Sequence, residues 1–424
     1  MSPNYIPQDT MSIWWLGNPS EPKLVGKIYL SEGNRKVALE YGDEWLNNGF
    51  QLSEDLPLKS GSFSPEEKDT AAGAVDDARP DRWGERVIRL IENPPRASLL
   101  EFLYFAGDNR FGSLGVSLDF AQYLPRSQGA LPAFESIRDI ERTVRRILAG
   151  ESVTEKQRRL IQPGVTFGGA RPKSLVEMNG SQWVVKFSEE EVMDTPLVEH
   201  VTMSFARTCG ISTAETMPVP VLKGHAVAVR RFDRVQESRL HVISAFVGLR
   251  AAGEELGYPE LSQLLRRIAD PETLGAQQEE LFRRLVFNIL MDNTDDHEKN
   301  HALLRCSDGS YALSPAFDVV PSNQGLRYQQ MRVGKSGSES TLENALSESM
   351  AFGLLEPKAR AIVVEIAKTV DGWKEYFANM GVLKRDIDSL GQYIDGDFLH
   401  SQRKQILKTM IPVKASGRSR VLGR

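Results

Sequence analysis

A change of hydrophobic period near Arg234 constrains the fold of this chain more than any other sequence feature. Before it, segments such as KLVGKIYL, KVALEY and SQWVVKF alternate apolar and polar positions, as β-strands do. After it, segments such as ELSQLLRRIA, QQEELFRRLVFNILM and KARAIVVEIAKTV repeat apolar residues at helical spacing. The order predicts an α+β protein of two lobes, with a β-rich N-terminal lobe and an all-helical C-terminal lobe.

The β-rich half contains two separate strand-bearing stretches. A helical pattern, ESIRDIERTVRRILAG, lies between them, and Asn179-Gly180 predicts a tight hairpin in the second. At 424 residues the chain also exceeds the usual size of one hydrophobic core. We therefore predict three units: an α+β N-terminal unit (residues 1–130), an N-lobe core with a glycine-rich loop (131–234) and a helical C-lobe (235–424).

Composition argues against several classes of function. A net charge of −5, from 52 basic and 57 acidic residues, argues against an overall positive surface that would bind nucleic acid. The two cysteines, Cys209 and Cys306, form no Cys-x-x-Cys pattern, so neither a disulfide framework nor a zinc site is predicted. The N-terminus lacks the features of a signal peptide, and no apolar run is long enough to span a bilayer. We expect a cytoplasmic protein.

The polar segment DNTDDHEKNHALL directly follows an apolar helical pattern. In it, Asp295 and Asn300 have the D-x-x-x-x-N spacing by which a kinase catalytic loop holds a base and an amide ligand for magnesium. A polar loop with Asx turns has the same spacing. Asp318 follows at the end of YALSPAFD, and Mg²⁺ takes carboxylate and amide oxygens together with phosphate oxygens. The three residues together predict a metal-dependent phosphotransferase.

Upstream features occur in the order of protein-kinase parts. A glycine-rich segment precedes a strand, Lys186 ends the next strand, and Glu199 lies in the following helix, where an ion-pair partner for that lysine is expected. Taken singly, these features also fit an ordinary hairpin loop, a solvated lysine and a surface glutamate. Their joint order predicts an ATP-dependent kinase. The residues expected near the ATP phosphates are Gly168, Gly169, Ala170, Arg171, Pro172 and Lys173.

These motifs resemble those of the HipA-type serine/threonine kinase toxins of bacterial toxin–antitoxin systems. The family's catalytic loop, T-D-x-H-x-K-N, is similar to residues 294–300, and its metal motif resembles Phe317-Asp318-Val319. Its glycine-rich loop resembles GGARPKS, and its hinge resembles RFDR followed by RLHVISA. LVGKIYL, LSEDLPL and DDARPDRWG look like its N-terminal subdomain, so the resemblance covers most of the chain.

The resemblance implies roles for the downstream motif. Asp295 is implied as the catalytic base, and Asn300 and Asp318 as the Mg²⁺ ligands. His297 and Lys299 are implied to line the nucleotide site together with Asn300, and Lys299 is grouped with the catalytic residues.

The upstream motifs receive roles in the same way. Residues 168–173 are implied to cover the ATP phosphates, and Lys186 to contact them. The backbone of Arg230, Arg231 and Phe232 is implied to hold the adenine.

Three positions bear on regulation and on departures from the family pattern. The family is known for autophosphorylation at a serine just before the glycine-rich loop, and Thr166 occupies that place here. Phosphate adds about −1.5 to −2 charges beside a loop that cradles ATP, so we predict that autophosphorylation inactivates the enzyme; the alternative is an ordinary turn threonine. Arg230 stands where members carry an acidic residue. Asp296 replaces a glycine, and this second carboxylate predicts a raised pKa beside Asp295 or a recruited cation.

Three functions remain open at this point. The resemblance implies a protein serine/threonine kinase that inhibits growth by phosphorylating a translation component, such as an aminoacyl-tRNA synthetase. A kinase of the same fold that acts on a small molecule or lipid is a second reading. The third is a non-catalytic or dual-role co-repressor that binds a HipB-like DNA-binding antitoxin and contacts DNA only through it.

Overall fold

The computed structural model describes residues 5–126, 129–164, 169, 171–189 and 191–408. Thr166, Gly168 and Ala170 lie outside the described residues. In chain order the described residues form an N-terminal subdomain (residues 10–117), an N-lobe (134–230) and a C-lobe (231–408).

The N-terminal subdomain is built on an antiparallel sheet. Its strands are β1 (Thr10–Trp15), β2 (Lys23–Ser31), β3 (Lys36–Tyr41), β4 (Ser62–Phe63), β5 (Thr70–Ala71) and β6 (Leu114–Ser117). The order across the sheet is β4-β3-β2-β1-β6, with β5 paired in parallel to β3. The helices are α1 (Asp43–Asn48), α2 (Ala74–Asp77), α3 (Arg82–Val87) and α4 (Leu99–Phe105), and α4 packs on β2, β3 and β6.

The N-lobe consists of a four-stranded antiparallel sheet and its flanking helices. The strands are β7 (Lys173–Met178), β8 (Ser181–Lys186), β9 (Thr216–Pro220) and β10 (His225–Arg230), in the order β7-β8-β10-β9. The helices are α5 (Ile137–Leu148), α6 (Glu155–Arg158) and α7 (Thr195–Thr208). Asn179 and Gly180, at φ +50° and +68°, form the predicted β7–β8 turn.

Alternation along β7 and β8 buries the N-lobe sheet on both faces. Leu175 and Val184 face the main core, which continues from the N-terminal subdomain into the C-lobe. Val176, Trp183 and Val185 face a second cluster formed with α5. Successive side chains of a strand point to opposite faces, so both faces of this sheet are apolar and buried.

The C-lobe is mostly helical. Its helices are α8 (Ala245–Ala251), α9 (Tyr258–Ile268), α10 (Pro271–Leu290), α11 (Leu342–Ser347), α12 (Glu356–Val370), α13 (Trp373–Asn379), α14 (Lys384–Ile394) and α15 (Asp397–Lys408). Within the described ranges, no helix is long and apolar enough to cross a membrane.

One detail of the sequence prediction needs correction, because the C-lobe is not all-helical. A hairpin pairs β11 (Arg234–Val235) with β12 (Ser238–Arg239), and a second sheet joins β13 (Val242–Ser244), β14 (Ala302–Arg305) and β15 (Tyr311–Leu313). Segments of two to four residues are too short to show an alternating pattern. In addition, β13 and β14 are far apart in the sequence, so their pairing leaves no local signal.

Candidate active site

Asp295 lies in the loop that follows helix α10. The helix ends at Leu290, and Asp292, at φ +53°, turns the chain into a polar loop. Burial raises the pKa of the Asp295 carboxyl, while His297 opposes the rise and Asp318 adds to it. The Asp295 side chain nevertheless reaches solvent. A carboxylate of raised pKa therefore stands where a substrate hydroxyl can approach it.

Ser322, which the sequence analysis did not identify, fixes the backbone of this loop. Its Oγ accepts hydrogen bonds from the Thr294 amide at 2.7 Å and from the Asp295 amide at 3.0 Å. The Ser322 amide donates to the Asp292 carbonyl at 2.8 Å. These bonds tie the loop of Asp295 to the segment that carries Asp318. A serine in a polar loop has no local sequence signal, so only the fold reveals this role.

Asn300 and Asp318 contribute oxygen atoms to the cavity that contains Asp295. Asn300 ends a 3₁₀ turn (Glu298–Asn300) and is 5% exposed, and its Oδ1 has no hydrogen-bond partner among the described residues. A buried oxygen without a donor is costly unless a ligand meets it. One amide oxygen and one carboxylate fit a hard cation such as Mg²⁺, whose remaining ligands are phosphate and water oxygens. The cavity measures about 200 Å³ and is lined by Arg171, Lys173, Lys186, Asp295, Asn300 and Asp318, among others.

Lys186 joins the two lobes at this cavity. Its Nζ lies 2.7 Å from Glu199 Oε1 on α7 and 2.5 Å from Asp318 Oδ1 in the C-lobe. Burial disfavours the charged form of all three groups and raises the pKa of Glu199, whereas at Lys186 and Asp318 the opposite charges outweigh it. The pKa of Lys186 is therefore raised and that of Asp318 is lowered. The structure thus brings together the lysine, glutamate and aspartate that the sequence placed far apart.

The described part of the glycine-rich segment borders the same cavity. A Cβ atom added to Gly169 would lie 3.9 Å from Asp318 Oδ2, which places this glycine beside the proposed metal ligand. Arg171 pairs with Glu191 at 3.5 Å, and the Pro172 carbonyl accepts from the Phe187 amide at 2.9 Å. These contacts hold the C-terminal side of the segment at the cavity wall.

A second cavity, of about 490 Å³, adjoins the first at Gly169. Phe111, Ser244, His297, Lys299 and Phe317 are among its lining residues. Lys299 lines this larger cavity as an exposed residue, and its ammonium lies 4.7 Å from the centre of the Phe246 ring. The structure therefore separates Lys299 from the smaller cavity of Asp295, although both belong to one loop.

The proposed hinge, Arg230 to Phe232, uses its polar groups mainly for structure. The amides of Arg230 and Arg231 donate to the carbonyls of Glu215 and Gln182, at 2.9 Å and 3.0 Å. The Arg230 guanidinium is exposed and pairs with Glu215 at 3.1 Å. An adenine contact made by this segment therefore depends on its carbonyl oxygens and on Phe232, whose ring centre lies 5.4 Å from that of Phe317.

Asp233 is the centre of a buried ion-pair network behind the hinge. Arg231 and Arg234 both donate to its Oδ2 at 2.7 Å, and the Gly112 amide donates to it at 2.8 Å. Both guanidinium groups also donate to the Arg110 carbonyl, each at 2.8 Å. Burial alone raises an aspartate pKa, but these arginines lower that of Asp233 to about 2. The RFDR motif thus anchors the N-terminal subdomain to the hinge.

Protein donors hold the Asp296 carboxylate, and recruitment of a cation by it stays a prediction. Asp296 is buried, accepts hydrogen bonds from the Tyr258 hydroxyl and from His301 Nε2 (2.8 Å), and Asn288 donates to the same hydroxyl at 3.1 Å. Burial raises its pKa, but His301 and Tyr258 outweigh burial and lower it. As expected, the Asp296 carboxylate raises the pKa of Asp295, although it does so less than burial does.

Two protein-family models match this chain. The one described as the HipA-like C-terminal domain matches residues 165–373, and the HipA N-terminal domain matches residues 20–117. The first match contains the proposed base, metal ligands and hinge. The second coincides with most of the N-terminal subdomain.

Curated relatives support the same assignment. The serine/threonine-protein kinase toxin HipA of Shewanella oneidensis is 22% identical over 341 residues, which cover 70% of this chain and 72% of the relative. Y4dM, a proposed kinase of Sinorhizobium fredii, is 31% identical over 157 residues, which cover 34% of this chain. That match spans only 38% of Y4dM, well short of its full length.

A solved structure has the same overall fold. HipA of Shewanella oneidensis MR-1, solved with HipB and its operator DNA, aligns with a TM-score of 0.65 at 16% sequence identity. The alignment covers 94% of this chain and 97% of the solved chain. The predicted two-lobed, kinase-like fold with an additional N-terminal subdomain is thereby confirmed.

Proposed function

This chain belongs to the HipA family of protein kinases, and from that premise we propose that it transfers phosphate from Mg²⁺–ATP to serine or threonine hydroxyls. One observation carries the proposal. A base of raised pKa, a buried amide oxygen without a partner and a lysine-paired carboxylate line a single cavity of about 200 Å³. This set matches the parts that phosphoryl transfer requires.

Each residue has a role in the proposed reaction. Asp295 accepts the proton of the attacking hydroxyl, whose oxygen bonds to the γ-phosphorus of ATP as the bond to the bridging oxygen breaks and ADP leaves. Asn300 and Asp318 would hold Mg²⁺, which would supply positive charge to neutralise the ATP phosphates. Lys186 places a buried positive charge beside them, and Glu199 keeps that charge in position. The larger cavity, lined by His297 among others, accommodates the rest of the nucleotide.

The substrate, regulation and partner form a further part of the proposal. We propose that the target is a translation component such as an aminoacyl-tRNA synthetase, that Thr166 is autophosphorylated and that the enzyme acts in the cytoplasm. The solved HipA relative is in complex with HipB and operator DNA, which supports a HipB-like antitoxin partner and a dual role as co-repressor. If Asp295→Asn abolishes phosphate transfer but leaves antitoxin and operator binding unchanged, the two roles are separable.

Transfer of labelled γ-phosphate from ATP to cell-extract proteins tests the central claim. Wild-type protein with Mg²⁺ should label protein, and EDTA or Asp295→Asn should abolish the labelling. Asp308→Asn, which neutralises an exposed carboxylate of the β14–β15 turn, is the control and should remain active. If correctly folded wild-type protein transfers no phosphate, the kinase proposal is wrong.

A further inference from the structure

We propose that Asp81 of the N-terminal subdomain is a positioning residue of the kinase site, acting through Lys173 of the glycine-rich segment. The inference rests on the proposed function, because it assigns Lys173 to the binding of ATP phosphates. It gives the N-terminal subdomain an indirect part in nucleotide binding, through Lys173.

The first residues of α3 hold Lys173 by its side chain and by its backbone. Lys173 is 0% exposed, and its ammonium donates to the Asp81 carboxylate and, at 3.0 Å, to the Gly169 carbonyl. Asp81 is itself fixed, because its other oxygen caps α3 by accepting from the Gly84 amide at 2.9 Å. The Trp83 indole donates to the Lys173 carbonyl at 2.8 Å. Lys173 is thus fixed at two points.

The other flank of the glycine-rich segment is also held by the N-terminal subdomain. A Cβ atom added to Gly84 would lie 2.2 Å from the Pro163 carbonyl oxygen, so α3 packs directly against that backbone. A Cβ atom added to Gly164 would lie 2.1 Å from the Ala106 carbonyl oxygen, at the end of α4. Both flanks of the segment therefore rest on the N-terminal subdomain.

Charge explains why Asp81 is needed. Lys173 and Lys186 are direct partners across the β7–β8 pair, and both are buried. Like charges at such a position repel each other, so each ammonium needs its own carboxylate. Glu199 and Asp318 serve Lys186, whereas Asp81 serves Lys173. Since Lys173 lines the 200 Å³ cavity, Asp81 determines where this second positive charge lies relative to the phosphates.

Asp81→Asn tests the role, because asparagine keeps the helix cap and the side-chain size but removes the charge. We expect the KM for ATP and the Kd of a non-hydrolysable ATP analogue to rise about 10-fold or more, with a smaller change in kcat. Lys173→Met should have a similar effect, and Asp81→Asn should add nothing to it in the double variant. Glu141→Gln is the matched control. It neutralises a buried N-lobe acid that pairs with Arg145 at 2.9 Å, and it should leave both constants unchanged.

The outcomes separate this inference from the proposed function. An unchanged Kd and KM in Asp81→Asn, or a full additional loss in the double variant, overturns the inference even if the melting temperature falls. Wild-type protein that binds the analogue but transfers no phosphate refutes the proposed function, and the Kd values then decide the inference. Wild-type protein that neither binds the analogue nor transfers phosphate refutes both.

Discussion

Lys186 donates to Asp318 at 2.5 Å across the boundary between the two lobes. The same ammonium pairs with Glu199, so one cation neutralises two carboxylates that otherwise repel each other. Asp318 is also the proposed Mg²⁺ ligand. Substitutions of Lys186 therefore bear on both the stability of the fold and the proposed catalysis.

Lys186→Met should abolish phosphate transfer and destabilise the fold. Breaking a buried pair by removing one partner costs about 3–5 kcal/mol, because a carboxylate is left uncompensated. Replacing Glu199 as well, in Lys186→Met with Glu199→Met, should recover only part of the unfolding free energy, because Asp318 also loses its Lys186 partner, and it should recover none of the activity. Urea unfolding and phosphate transfer measure the two effects. Recovery of activity in the double variant would show that Lys186 has only a structural role.

Asn300→Leu should separate metal binding from stability. The Asn300 Oδ1 atom has no partner among the described residues, so an apolar side chain of similar size should leave the unfolding free energy unchanged or higher. The Mg²⁺ concentration for half-maximal transfer should rise about 10-fold or more, whereas Asn300→Asp should retain metal dependence. An unchanged Mg²⁺ requirement in Asn300→Leu would exclude Asn300 as a ligand.

Ser322→Ala should lower kcat and spare the KM for ATP. Without the Oγ acceptor the amides of Thr294 and Asp295 lose their shared partner, and the base shifts relative to the substrate hydroxyl. A displacement of about 1 Å can cost about 100-fold in rate. Ser389→Ala removes a hydroxyl bonded to Asn323 in the adjoining segment, and it should keep full activity as the control. A loss confined to KM would contradict the proposed role.

His241 should make stability depend on pH. Burial lowers its pKa to about 4, whereas the pKa of a histidine in the unfolded chain is about 6.5. Between these two pH values the unfolded chain binds more protons than the folded chain. The contribution of His241 to the free energy of unfolding is therefore fully present above pH ~6.5, and about 3 kcal/mol of it is lost as the pH falls towards 4. His241→Gln should remove this slope while its amide still donates to the Leu52 carbonyl, the acceptor at 2.8 Å in the wild type.

The difference between wild type and His241→Gln is the quantity to measure, by urea unfolding from pH 5 to 7.5. Two other groups titrate in the same window, because burial raises the pKa of Asp77 and of Asp292 to about 6. Both bind protons in the folded state, so they oppose the effect of His241. They are common to both proteins and cancel in the difference. Equal slopes would show that His241 does not titrate on unfolding.

Sequence reasoning predicted the parts of the candidate site whose signals are local. Asp295 and Asn300 share one short loop, Lys186 ends an alternating strand, and Glu199 lies in the helical segment that follows. It missed Ser322 and Asp81, whose partners lie 27 and 92 residues away in the chain. A contact across such distances depends on how the sheets and helices pack, and no periodicity records it.

Sequence reasoning also could not predict the direction in which a side chain points. Asp296 is adjacent to Asp295, yet its side chain is buried, because Tyr258 and His301 donate hydrogen bonds to it there. Arg231 was expected only to lend its backbone to adenine, and its guanidinium instead joins a buried network. In both cases the neighbours that decide the direction of the side chain come from other elements.

The Asp233 network limits how far the chain can be shortened from its N-terminus. A recombinant fragment starting at residue 131 keeps the base, the metal ligands and the hinge, but it lacks the Arg110 carbonyl and the Gly112 amide. Arg231 and Arg234 then lose acceptors, and Lys173 loses Asp81. The sequence looks modular, but residues 131–424 depend on residues 1–130 for buried hydrogen-bond acceptors and for the partner of Lys173.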